Sequence, residues 1–92
     1  MKTIVLNVRI AKWFDAEGRE RVLIDRRTKW GNPFKIGADG TREEVVAKYR
    51  EWLKFQPALL AKISSLKGKA LNCWCKPLPC HGDVLAELAE GG

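Results

Sequence analysis

Ile4, Leu6, Val8 and Ile10 alternate with Val5, Asn7 and Arg9. A period of two predicts a strand over residues 4–10 with one apolar face. A polar stretch follows and ends in the turn signal Ala16-Glu17-Gly18. The apolar run at 21–25 predicts a second strand. Residues 26–40, RRTKWGNPFKIGADG, hold three glycines and a proline and have no periodicity. They read as a long loop, a kind of segment that often carries function in a small domain. Thr41 with Glu44 three residues on forms a capping box, so a helix starts there. Its apolar stripe is Val45, Val46, Tyr49, Trp52 and Leu53. Pro57 opens a second helix with the stripe Leu59, Leu60, Ile63 and Leu66, closed by Gly68. Residues 69–75 predict a third strand, KPLP a rigid turn, and residues 81–89 a last helix with Val84, Leu85 and Leu88 inward.

The order is strand, strand, two helices, strand, helix. A crossover from the second strand to the third demands a parallel pair, right-handed in nearly all cases. This predicts an α/β fold: a small single domain over residues 1–92, with a Rossmann-like three-stranded, partly parallel sheet packed by three helices. In such sheets ligands sit beyond the carboxyl ends of the strands. Residues 25–34 and 73–83 leave two of those ends. If their strands are parallel, the two segments wall one site.

Composition narrows the partners. The chain has 17 basic and 11 acidic residues in 92, a net charge of +6. That favours nucleotides, other anionic small molecules or nucleic acid. A soluble protein that is merely basic is the plainer alternative, because no dense basic run is present. The start of the chain lacks a signal-peptide pattern, and no apolar run is long enough to span a membrane. The expectation is therefore a cytoplasmic protein with no membrane partner. Three cysteines, an odd number, argue against a disulfide framework.

Residues 71–85, LNCWCKPLPCHGDVL, contain all three cysteines and the single histidine. One reading is zinc on Cys73, Cys75, Cys80 and His81, four ligands in all. The spacing lacks paired C-x2-C knuckles, and adjacent Cys80 and His81 would share one ion awkwardly. A second reading places Cys80 at a helix mouth, where unpaired N–H groups favour a thiolate or a bound phosphate. Cys80 and His81 are then candidate catalytic residues, with His81 as proton carrier. Arg26 and Arg27 add charge, Asp83 caps the helix or orients a donor, and Cys75 forms a wall. In the third reading Cys73 is buried core and His81 only a cap.

KWGNPF, residues 29–34, is the other candidate wall. Asn32 suits a base or amide edge. Trp30 or Phe34 suits stacking on a planar ring. Gly31 permits close backbone approach, and Pro33 stiffens the turn. The plainer reading is a structural turn with Trp30 and Phe34 plugging the core. Trp13 and Phe14 read as core or as a patch for a partner.

GNPF at 31–34, the helix start Thr41–Glu44, and Cys73-Trp74-Cys75 with Pro79–Asp83 together resemble a known family. It is the small phage and bacterial proteins grouped as domain of unknown function 4326. The resemblance covers roughly residues 20–90, with one departure, Asp25 where a glycine is usual. It implies relatives without implying a reaction. The ending also resembles the C…HCHR ending of another uncharacterised α/β family, in which a Cys-His pair opens a helix beyond a strand. The expected protein is thus a small phage-type protein with a pocket for a nucleotide, nucleobase or other phosphate-bearing ligand, and no cofactor. In a phage it would work in the bacterial host cytoplasm. Zinc binding, or non-enzymatic binding to a host protein or nucleic acid, are the alternatives.

Overall fold

The computed structural model describes residues 2–9, 18–74 and 78–91. The expectations for Ile10, Trp13, Phe14 and Cys75 fall outside these residues.

Strand β1 is Ile4–Asn7, β2 is Arg21–Leu23 and β3 is Ala70–Cys73. The sheet order is β1-β3-β2, and both pairs are parallel. The sheet is thus parallel throughout, where the sequence pointed only to the β2–β3 pair. β1 and β2 both pair with the late strand β3, a non-local arrangement that no local pattern announces.

In register, Val5, Leu71 and Val22 form one row across the sheet. Val5 packs against the core, whereas alternation had favoured Ile4 and Leu6 as the inner residues. Ile4 and Leu6 are half-buried on the other face. Both phases of this strand carry apolar residues, so a period of two cannot choose between them. β1 also stops earlier than expected. The Asn7 Oδ1 accepts the Arg9 N–H at 2.9 Å, a side-chain turn that ends the strand.

Helix α1, Arg42–Leu53, starts at the expected capping box. Thr41 Oγ1 accepts the Glu44 N–H at 3.2 Å, and Glu44 Oε1 accepts the Thr41 N–H at 2.8 Å. Val45, Tyr49 and Leu53 are its buried stripe. The second helix is broken. Helix α2 spans only Pro57–Leu60, and a 3-10 turn follows at Ile63–Leu66. Ser65 Oγ donates to the Lys62 carbonyl, and hydroxyl bonds to nearby carbonyls compete with a regular helix. Leu66 becomes the buried anchor of this segment, while Leu60 stays exposed.

Helix α3, His81–Ala89, lies against the sheet. Val84 and Leu85 join Ile24, Tyr49, Leu53, Leu66 and Leu71 in one core cluster. The helix sits close because residue 82 is glycine. A Cβ there would stand 2.7 Å from Ile24 Cδ1 and 2.9 Å from Val5 Cγ1. This close approach brings Cys80 and His81 over the strand ends. Among the described residues no helix is long and apolar enough to cross a membrane.

Candidate functional site

The turn after β2 is organised by Asp25. Its carbonyl accepts the Thr28 N–H and hydroxyl, both at 3.0 Å. Its Oδ1 accepts the Arg27 N–H at 3.0 Å. Its Oδ2 accepts from Arg27 Nε at 2.9 Å, from Arg27 Nη2 at 2.7 Å and from Trp74 Nε1 at 3.3 Å. Arg27 hydrogen bonding holds this carboxyl below its ordinary range, against the opposing effect of burial. The sequence places Asp25 at the start of the segment 25–34 and as a departure from a family pattern, without giving it a role. Its signal was an aspartate leading a turn with an arginine two residues on.

Asn32 comes next and is buried. Its Nδ2 donates to the Val45 carbonyl at 3.1 Å, and its Oδ1 accepts the Phe34 N–H at 3.0 Å. One end of the amide therefore ties the loop to α1, and the other closes the loop on itself. Asn32→Ala should cost about 2–3 kcal/mol, since a buried bond to Val45 and a part-buried one from Phe34 are lost. Chemical denaturation checks this, and an unchanged midpoint would show that the amide does not hold the loop.

Cys80 is the N-cap of α3. Its backbone N–H donates to Asp83 Oδ2 at 3.1 Å, and its Sγ accepts the Gly82 N–H at 3.3 Å. Its Sγ is 3.0 Å from Cys73 Sγ at the end of β3. His81 is buried, with Nε2 2.6 Å from the Ile24 carbonyl. A carbonyl only accepts, so Nε2 carries the proton. Nδ1 is then the basic nitrogen, 3.7 Å from Cys80 Sγ. The imidazole also meets the Tyr49 ring edge-on at 5.0 Å.

Burial lowers the His81 pKa from its ordinary 6.5, opposed by the Ile24 carbonyl and by Asp83. The buried ring is therefore neutral. Below its ordinary value the unfolded chain takes up a proton that the folded chain resists. Stability should fall as pH drops through that window and be fully present above it. Denaturation midpoints at about pH 7.5 and about pH 5.5 test this. The loss should shrink in His81→Gln, and an equal loss in both proteins would remove His81 from the effect.

These segments enclose a cavity of about 360 Å³ beyond the carboxyl ends of β2 and β3. Asp25, Arg26 and Arg27 line it from the turn after β2, and Asn32, Phe34 and Ile36 from the following loop. Cys73 at the end of β3 and Trp74 just after it line the cavity, with Pro79, Cys80 and His81 at the mouth of α3. Arg42, Val45 and Val46 of α1 form a third wall that the sequence reading did not include. Their only signal was position, on the first turns of the helix that follows the loop.

Other sequence candidates lie elsewhere. Trp30 is in the core, where its carbonyl accepts the Tyr49 hydroxyl at 2.7 Å. Gly31 and Pro33 border a separate hollow with Lys29, Lys35 and Trp52. Asp83 completes the capping box of α3 and does not line the cavity. Among the described residues no three His, Cys, Asp or Glu side chains are grouped to hold a metal. Cys75, a member of the zinc set, lies outside those residues.

The fold and this cavity define a small α/β protein with a pocket at the carboxyl edge of a parallel sheet. The chain belongs to the family described as Domain of unknown function (DUF4326), whose model matches residues 8–91. It is similar to an uncharacterized 12.4 kDa protein from the nrdA-td intergenic region of Enterobacteria phage T4, 38% identical over 74 residues. That match covers 75% of this chain and 67% of the relative. It is also similar to an uncharacterized protein of Acanthamoeba polyphaga mimivirus, 38% identical over 69 residues, covering 66% of this chain and 52% of the relative. The aligned region is thus about two thirds of the phage relative and about half of the mimivirus one. No solved structure gives a significant match.

Proposed function

We propose that this protein binds a phosphate-bearing ligand with a planar apolar part, of the nucleotide class, in the cavity between the GNPF loop and the mouth of α3. The observation that carries the reading is the charge arrangement of a largely apolar pocket. Phe34, Ile36, Val45, Val46, Trp74 and Pro79 supply apolar surface. Three arginines line the same space.

These arginines differ in availability. Arg27 is committed to Asp25. Arg42 makes one long bond, Nη1 to the Pro79 carbonyl at 3.4 Å. Arg26 has no ion pair or side-chain hydrogen bond among the described residues. Guanidinium groups grip phosphate oxygens in a fork, and Arg26 is the group ready to do so. Trp74 is half-exposed at 52%, with its indole N–H anchored on Asp25. An anchored aromatic ring suits stacking on a base, and the Arg9 guanidinium already stands over this ring at 5.9 Å. Asn32 also lines the cavity, and its amide uses one N–H and one acceptor position to hold the loop.

Calorimetric titration with a nucleoside monophosphate, its nucleoside and inorganic phosphate tests the reading. The monophosphate should bind at least about tenfold more tightly than either part, because each fragment gives up one set of contacts. Equal affinity for nucleoside and monophosphate would remove the phosphate from the proposal. No binding of any of the three would remove the nucleotide class.

A further inference from the structure

We infer that Cys80 and Cys73 form a reversible dithiol–disulfide pair, with Cys80 as the attacking thiol and a small hydroperoxide as oxidant. The inference needs no bound ligand and stands apart from the nucleotide reading.

The carrying observation is that the two sulfurs come within 3.0 Å of each other, closer than sulfur atoms pack without interacting. They belong to different elements, the end of β3 and the N-cap of α3, so the fold brings them together. Neither is in a disulfide. A bonded pair requires an S–S length near 2.05 Å, so closure needs a shift of about 1 Å. Both residues are 1% exposed, yet both line the cavity. A peroxide can therefore reach both sulfurs from the cavity. The two sulfurs are not equivalent. Cys80 Sγ accepts the Gly82 N–H at the start of a nine-residue helix, an arrangement that favours negative charge on sulfur. Nδ1 of His81, 3.7 Å away, is a base on the path of the departing proton.

The chemistry balances in two steps. Cys80 Sγ attacks one oxygen of ROOH; an S–O bond forms, the O–O bond breaks, and ROH leaves with the thiol proton. This gives the sulfenic acid Cys80–SOH. Cys73 Sγ then attacks the Cys80 sulfur; the S–S bond forms, the S–O bond breaks, and water leaves with the Cys73 proton. Two thiols lose two hydrogens, and the peroxide takes two electrons to become ROH and water. A dithiol reductant reverses the bond by exchange.

The full-length Cys75→Ser chain is the test protein, because it retains only this pair. Reduced and folded, it should lose both thiols together on treatment with hydrogen peroxide, and its intact mass should fall by two hydrogens. Chymotryptic cleavage after Trp74 should leave the two halves joined until reductant is added. The folded chain should close at least about tenfold faster than the chain in denaturant, because the fold supplies the effective concentration. Cys73→Ala in the same background should instead stop at a sulfenic acid trappable by dimedone. Should that variant unfold, the folded-versus-denatured comparison still decides. Three results would overturn the inference: both thiols surviving, equal rates in the two states, or an equivalent of bound zinc that must be removed before either thiol reacts.

Discussion

Gly31→Ala should lower stability by about 3 kcal/mol and shift the melting temperature by roughly 15 °C, a large effect for a domain of this size. The reason is steric and local. A Cβ at residue 31 would stand 2.6 Å from Arg26 Cα and 2.7 Å from the Asp25 carbonyl oxygen. Both are backbone atoms, so no side chain can swing away to make room. The turn from Asp25 to Gly31 would have to open, although its bonds close it at both ends. The Thr28 N–H donates to Asp25, and the Gly31 N–H donates to Thr28 at 3.1 Å. Gly37→Ala is the matched control. Its φ is +94°, with nothing within 4 Å of an added Cβ. It should cost only the backbone penalty of about 1–2 kcal/mol. Because the same turn carries Asp25, Arg26 and Arg27, Gly31→Ala should also weaken ligand binding in whatever fraction still folds. Wild-type stability in this variant would mean that the turn is not packed as described.

The second large effect concerns affinity. Arg26→Ala combined with Arg42→Ala should weaken binding of a nucleoside monophosphate by about a hundredfold, at roughly tenfold for each lost charged contact. Folding should change little, because neither guanidinium holds the structure together. Arg26 bonds nothing among the described residues, and Arg42 contributes only its long bond to Pro79. Binding of the bare nucleoside should be almost untouched. Arg27→Ala should behave differently. It removes the partner that holds Asp25, so it should disturb the Trp74 wall as well as the charge. If Arg27→Ala weakens the nucleoside as strongly as the monophosphate, the damage lies in the stacking wall. If all three single variants weaken the monophosphate alone and equally, the distinction between a structural and a ligand-facing arginine is wrong.

Much of the site's location was legible before its geometry. The crossover from β2 to β3 implied a parallel pair, and the rule for strand carboxyl ends put residues 25–34 and 73–83 beside each other. They do meet around one cavity. The capping box at Thr41 and the helix opening at Cys80 were equally readable, because each depends on residues only a few positions apart. What the sequence hid was non-local or double-valued. Asn32 can face a ligand or its own loop, and the bond it makes to the Val45 carbonyl cannot be read from local sequence. Trp30 can stack on a ring or fill the core, and Tyr49 settles it. The meeting of Cys73 and Cys80 depends on how closely α3 packs on the sheet, which Gly82 permits through a contact with β1 far away in the chain. Ile63 and Leu66 kept their apolar phase while the helix between them and Pro57 broke, since periodicity reports a face and not continuity.

The central claim is that the cavity holds a phosphate-bearing ligand through Arg26. One heteronuclear NMR titration with a nucleoside monophosphate, run on the wild-type chain and on Arg26→Ala, addresses it most directly. In the wild type, amide shifts should saturate and cluster at Arg26, Phe34, Trp74 and His81, around the cavity walls. In Arg26→Ala the same cluster should respond only at about tenfold higher ligand concentration, with an otherwise native spectrum. Shifts elsewhere in the chain, or identical titrations of the two proteins, would contradict the claim.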